Sequence, residues 1–210
     1  NIFADMKEGL FYAAGFVPIR DILLLISVTS LFGMTFPVLL PVFANKVFNG
    51  GSNTFGVLVS SSGAGAFLAT IYLAMRKSIH GQGRVMNMAV YALSFGLIAF
   101  SLSKSIYLSI LLLVLVGFSM IAVIASCNMV LQAIVDEDKR GRVMSFYVMA
   151  FSGAAPLGNL LAGTLSSTLG APTTVLIFGS VCFIIGVIFS YRLPAVREMI
   201  IPVLSDRKKL

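Results

Sequence analysis

No aspartate or glutamate occurs between Asp21 and Asp136, and none occurs between Lys139 and Arg197. A chain in water seldom runs so far without an acid on its surface, whereas helices that face lipid must keep charge out of their length. Six apolar runs occupy these stretches, near residues 22–42, 55–75, 85–102, 106–130, 143–165 and 173–191. Each approaches the roughly 20 helical residues that cross a hydrocarbon layer of about 30 Å. Polar and glycine- or proline-bearing segments punctuate them, such as Asn49-Gly50-Gly51-Ser52-Asn53 and Gly170-Ala171-Pro172. The expectation is an all-α membrane protein with six transmembrane helices.

The content of 58% hydrophobic and 11% charged residues, with a mean hydropathy of +0.99, leaves a water-soluble fold nowhere to hide its apolar surface. The net charge of +7 does not point to nucleic acid, because the cations punctuate the apolar runs and form no single basic face. Counted by side of the membrane, 13 of the 15 lysines and arginines fall on one face and only Lys46 and Lys104 on the other. All eight acids join the basic side. By the positive-inside rule both chain ends are expected in the cytoplasm.

Residues 1–21 alternate Asp5, Lys7 and Glu8 with Ile2, Phe3, Leu10, Phe11 and Tyr12. They lack the pattern of a signal peptide and read as an amphipathic linker from an upstream domain. Residues 22–191 form the six-helix domain, and residues 192–210, with Pro194 and Pro202, a basic tail on water or anionic lipid. Cys127 and Cys182 lie in apolar runs without metal-type spacing, and His80 has no acid beside it, so the sequence implies no metal and no cofactor.

Small residues mark close helix packing. The second span carries Gly56, Ser60 and Ala64 on one row and Ser61, Gly65 and Ala69 on the next, with Gly63 nearby. The fifth span repeats the device with Ala154, Gly158 and Ala162, flanked by Gly153 and Gly163. These are the middle helices of two successive groups of three, as paired inverted repeats require. Pro37 and Pro41 in the first span and Pro156 in the fifth are expected to kink their helices and free backbone carbonyls.

After the fourth span comes a loop that reads Asp136-Glu137-Asp138-Lys139-Arg140-Gly141-Arg142-Val143-Met144-Ser145. Asp138, Lys139, Arg140, Gly141 and Arg142 resemble the D-[RK]-x-G-[RK] core of the cytoplasmic loop motif of the major facilitator superfamily. The run from Arg140 to Ser145, followed by Pro156-Leu157-Gly158 and Gly163, resembles the branch that holds the enterobactin exporter and the macrolide efflux proteins. The chain departs from the motif at Ile134, where the family has Gly. The loop after the second span keeps only Gly83-Arg84, with His80 where the acid would stand. The resemblance covers nearly the whole chain and implies the carboxy-terminal half of a twelve-helix transporter, built from two three-helix inverted repeats. Its partner would be an amino-terminal six-helix half.

The resemblance further implies a cytoplasmic gate at Asp138, Lys139, Arg140, Gly141 and Arg142. The acids 136–138 follow the fourth span, where the helix dipole disfavours them, so they are expected to be held by Arg140 and Arg142 or by an upstream half. By the same resemblance the first, second, fourth and fifth spans supply the substrate wall. Candidates are Thr29, Phe32, Met34 and Phe36 on the first, Tyr72 on the second, Ser119, Ser126 and Asn128 on the fourth, and Tyr147, Phe151 and Asn159 on the fifth. Amides are costly to expose to lipid, so Asn128 and Asn159 are expected to face the interior. A wall without charge in a chain with 17 Phe and 10 Met suits an amphipathic or apolar solute.

Catalysis is excluded on chemistry. A membrane serine protease needs an embedded Ser–His pair, and the single histidine lies in a loop; an aspartyl protease needs carboxylates inside the spans. No span holds Asp, Glu, His, Lys or Arg at its middle, so a coupling carboxylate is expected upstream. A six-span protein that dimerises into a transporter, and a scaffold without transport, are the alternatives.

Overall fold

The computed structural model describes Tyr12, residues 15–75 and residues 81–207. The expectations for residues 1–11, Arg76, Lys77, His80, Lys208 and Lys209 lie outside the described residues. Six long helices follow one another: α1 Val17–Val47, α2 Ser52–Met75, α3 Gln82–Leu102, α4 Ile106–Ile134, α5 Arg140–Leu169 and α6 Ala171–Arg207. No strand occurs among the described residues. Each helix is long and apolar enough to cross a bilayer, and the chain is a multi-pass membrane protein.

The helices extend past the apolar runs, because backbone hydrogen bonding continues where hydropathy stops. Pro18 stands in the first turn of α1, where its fixed φ favours initiation and its missing N–H costs nothing. Arg20 and Asp21 are therefore helical. The α4 helix runs on to Ile134, which brings Gln132 into the helix, and α6 continues through Pro194 and Pro202 to Arg207. Gly170, with φ 83°, makes the turn from α5 into α6, a conformation that L side chains resist.

The main helix contacts follow an internal two-fold relation that pairs α1 with α4, α2 with α5 and α3 with α6, although the packing of α5 on α6 has no equal between α2 and α3. The α2–α4 contact has its counterpart in α5–α1, and α3–α4 in α6–α1; α3 packs on α6 across the axis. Glycines permit the matching crossings. A Cβ on Gly65 of α2 would lie 1.9 Å from the Val114 carbonyl oxygen, and one on Gly117 of α4 the same distance from that of Ser62. On the other side of the axis, a Cβ on Gly158 of α5 would lie 2.1 Å from the Leu31 carbonyl oxygen of α1. The small-residue rows consequently divide. Ser61, Gly65 and Ala69 face α4, while Gly56, Ser60 and Ala64 point outward. On α5, Gly158 and Ala162 are buried, and Gly153 and Gly163 are exposed.

Two apolar clusters fill the core. One gathers Ile22, Ile26, Val90, Val123, Leu131 and Phe189 toward the basic end, and the other gathers Phe36, Phe43, Leu93, Phe100, Leu113 and Phe178 toward the opposite end. Burial is uneven. About half of the most apolar stretch of α1 and of α3 is buried, against 28% in α2 and 11% in α5.

The first and fifth helices are interrupted next to each other. In α1 a π-helical turn at Thr29–Gly33 precedes a 3-10 turn at Phe36–Leu39, and a second π-helical turn occupies Phe43–Val47. In α5 a π-helical turn at Met149–Gly153 precedes Pro156. Pro37 and Pro156 each lack an N–H and crowd the carbonyl one turn back, so the helix widens upstream of each. Hydroxyls serve the affected carbonyls: Thr35 donates to the Phe32 carbonyl at 3.1 Å, and Ser30 of α1 donates to the Phe151 carbonyl of α5 at 2.5 Å.

Candidate functional site

Ile124, Asn128 and Gln132 succeed one another at four-residue spacing along one face of α4, so their side chains stack in a row. Tyr147 and Phe151 hold the same spacing on α5, and their rings stack at 6.5 Å with 15° between planes. Between the two rows lies an open groove of about 660 Å³, also lined by Ala125, Met129 and Ala133. The groove is mostly apolar with two amides, and among the described residues no charged side chain lines it.

Polar groups in the groove are linked to one another. The Tyr147 hydroxyl donates to the Ile124 carbonyl at 2.8 Å, which ties α5 to α4. Gln132 donates its amide N–H to Asn128 Oδ1. Gln132 itself is exposed at the groove. Gln132 lies beyond residue 130, where the apolar run of the fourth span ends. The signal that would have found it is its i+4 spacing from Asn128.

Of the candidates, Asn128, Tyr147 and Phe151 meet in this groove. Thr29, Ser119 and Ser126 are buried elsewhere, because short hydroxyls in helices turn to nearby acceptors. Thr29 donates to the Leu25 carbonyl, Ser119 to that of Leu115, and Ser126 to Gln82 Oε1 on α3. Phe36 is buried, and Phe32 packs edge-on against Phe178 of α6 at 5.2 Å. Met34 packs on the apolar cluster at the basic end. Tyr72 is partly exposed on α2 with its ring 5.7 Å from that of Phe118. Asn159 is exposed on the open side of α5. A second open groove, between α2 and α4, is lined by Ser52, Asn53, Gly56, Ser60 and Ala64.

The charged loop between α4 and α5 is short. Helix α4 ends at Ile134, so Asp136, Glu137 and Asp138 stand ahead of Arg140, where α5 begins. Their nearest dipole is the positive end of α5, which favours them, and not the negative end of α4. Arg140 reaches Glu137 at 3.8 Å. Tyr12 donates its hydroxyl to Asp136 Oδ2 at 3.0 Å, and Lys139 Nζ sits 4.4 Å from the centre of the Tyr12 ring. Burial and the Asp136 carboxylate push the Tyr12 hydroxyl pKa above its ordinary value. Gly141 is exposed, with open space where a Cβ would stand.

Asp21, within α1, is buried and held by Arg192 of α6 at 2.8 Å and by Arg20 at 3.4 Å. Sequence reasoning set this carboxylate at a span edge. Only the packing of the last helix on the first reveals its partner.

A six-helix unit with this inverted three-helix symmetry and a polar-aromatic groove beside a broken helix has the architecture of one half of a major facilitator transporter. Comparison with known proteins agrees: the profile of the transmembrane secretion effector family matches residues 1–204. The chain belongs to that family of the major facilitator superfamily. It is also similar to the staphyloferrin A transporter of Staphylococcus aureus, with 28% identity over 160 residues, or 76% of this chain and 40% of that relative. The chain thus matches well under half of the relative's length. No solved structure matches it.

Proposed function

We propose that the chain is the carboxy-terminal half of a secondary active transporter that exports amphipathic, drug-like or siderophore-like solutes across a bacterial cytoplasmic membrane. The observation that carries the reading is the open groove between α4 and α5, where Asn128, Gln132, Tyr147 and Phe151 offer hydrogen bonds and ring surface without charge. Such a wall binds an amphipathic solute without the desolvation cost of an ion pair. The relative's name supports the siderophore side of the range.

The amino-terminal half is the occupant assigned to the outward faces of α2 and α5, the two least buried helices. It would cover Asn159 and convert the groove from an open face into a cavity wall. Residues 1–21 would then link the halves, with Tyr12 resting on the α4–α5 loop. The distribution of lysine and arginine supports a cytoplasmic location for this loop and both chain ends, and the Asp138 to Arg142 motif would form part of the inner gate. Asp21 is already neutralised by two arginines, so the coupling carboxylate is assigned to the other half.

The test is transport in everted membrane vesicles that carry the chain joined to its amino-terminal half, with a fluorescent amphipathic dye and with staphyloferrin A. Solute accumulation that Phe151→Ala lowers at least several-fold is the expected result. A protein that inserts normally yet moves neither solute would favour the scaffold instead.

A further inference from the structure

Asp21 Oδ1 accepts hydrogen bonds from two arginines at once, Arg192 Nη1 of α6 at 2.8 Å and Arg20 Nε of α1 at 3.4 Å. The carboxylate is buried, whereas both arginine side chains are partly exposed. One buried oxygen gathers two guanidinium groups, and their remaining N–H donors make no other hydrogen bond among the described residues. No second carboxylate among the described residues reaches either arginine, so the cluster keeps one positive charge unmatched. The positive end of α1, which begins at Val17, adds to that field.

The cluster stands at the edge of the apolar layer. Arg192 directly follows the apolar run 173–191, and Tyr191, the last residue of that run, is 83% exposed, as suits a tyrosine at headgroup depth. One turn deeper on each helix is an exposed aliphatic side chain: Leu24 follows Arg20 by four residues, and Ile188 precedes Arg192 by four. Ile184, a further turn along α6, is exposed as well. Two guanidinium groups above apolar surface on both helices complement a molecule with an anionic head and acyl chains.

We propose that the seam between α1 and α6 binds an anionic phospholipid, with its phosphate between Arg20 and Arg192 and an acyl chain along Leu24 and Ile188. Arginine suits the role because its fork of N–H groups meets two phosphate oxygens at once, and Asp21 holds both arginines in place before the lipid arrives. A zwitterionic lipid carries its own cation beside the phosphate and gains less from the unmatched charge. The seam lies apart from the α4–α5 groove, so the inference does not depend on the reading of that groove as a solute wall.

The experiment measures lipid binding by native mass spectrometry, on the chain joined to its amino-terminal half and purified in mild detergent. The probes are dioleoylphosphatidylglycerol and dioleoylphosphatidylcholine at equal concentration. For the first lipid bound, the wild type is expected to prefer the phosphatidylglycerol by about five-fold, the factor that one basic side chain contributes at a membrane surface. Arg20→Gln, which leaves Asp21 paired with Arg192, is expected to cut the preference to less than about two-fold. The double variant Asp21→Asn with Arg192→Gln, which strands no buried charge, is expected to do the same. Arg84→Gln removes an exposed arginine of α3 and is expected to leave the preference in place. A wild type that binds both lipids equally, or a preference that survives both seam variants, overturns the proposal. An equal loss with Arg84→Gln overturns it too, because the attraction would then belong to the basic loops at large. Inorganic phosphate at millimolar concentration is expected to leave the lipid bound; if it displaces the lipid, the seam is a phosphate site and the lipid assignment fails.

Discussion

The Oδ1 atom of Asp21 lies 2.8 Å from the Arg192 guanidinium, which pins the first turns of α1 to the membrane end of α6. The pair is asymmetric. The Asp21 side chain is 3% exposed and that of Arg192 51%, and Asp21 Oδ2 has no hydrogen-bond partner among the described residues.

Removing the exposed partner should therefore cost more than neutralising the buried one. Arg192→Met strands a buried carboxylate beside Arg20 alone and is expected to lose about 2 kcal/mol, whereas Asp21→Asn should lose less than about 1 kcal/mol. Thermal unfolding in detergent gives the order. If Asp21→Asn proves the more damaging, the ion pair is not what holds these helices.

Glycines at the crossings are separable from glycines in open space. Ala at Gly65, Gly117 or Gly158 drives a methyl into a backbone carbonyl and is expected to cost about 1–3 kcal/mol. Ala at Gly63 or Gly163 meets nothing within 4 Å and should be neutral or stabilise by a few tenths to about 1 kcal/mol. The same melting experiment reads both sets, and equal effects would mean that the crossings are looser than the geometry indicates.

The Ser30 hydroxyl and Pro156 act on the same helix break. Ser30→Ala should destabilise by about 1 kcal/mol in the wild type and by less in a Pro156→Ala background, where the helix regains an N–H. A double-mutant cycle with a coupling near zero would separate the two.

Tyr12 gives a pH signature. Its pKa is raised in the folded protein, so the unfolded chain loses the proton first as pH climbs. Stability from this contact is complete below the ordinary tyrosine pKa of about 10 and is lost as pH rises toward the folded value. Tyr12→Phe should cost under about 1 kcal/mol at pH 7, and the difference should shrink above pH ~10. A gap that stays constant through that range would show the hydroxyl to be idle.

Cys127 and Cys182 are both fully buried thiols. Maleimide labelling is expected to be negligible in the folded protein and complete in denaturant. Rapid labelling of either one in the folded state would place it on a water-filled path.

Helix number, class and approximate positions were legible along the chain, since lipid excludes charge and each span announces itself by composition. Small-residue rows and prolines likewise marked α2, α1 and α5 as special. The rows alone did not say which one packs, because both have the same spacing on the same helix; Gly65 is buried and Ala64 exposed only because α4 arrives on one side. Asn128, Tyr147 and Phe151 were readable as wall candidates, and their neighbour Gln132 was not, because α4 outlasts its apolar run. The partners of Asp21 were hidden for a different reason. Arg192 is far away in the chain, and its approach depends on α6 packing across α1.

By itself, then, the order of residues determined a membrane protein of six helices in two groups of three, and the family motif that begins α5. That follows from local rules, hydropathy and charge, which need no partner to act. Tertiary structure decided which hydroxyls serve backbone carbonyls, which glycines touch, which acid finds its arginine, and which side chains of α4 and α5 line the groove. Those outcomes depend on two helices meeting at one register, and no single segment carries that information.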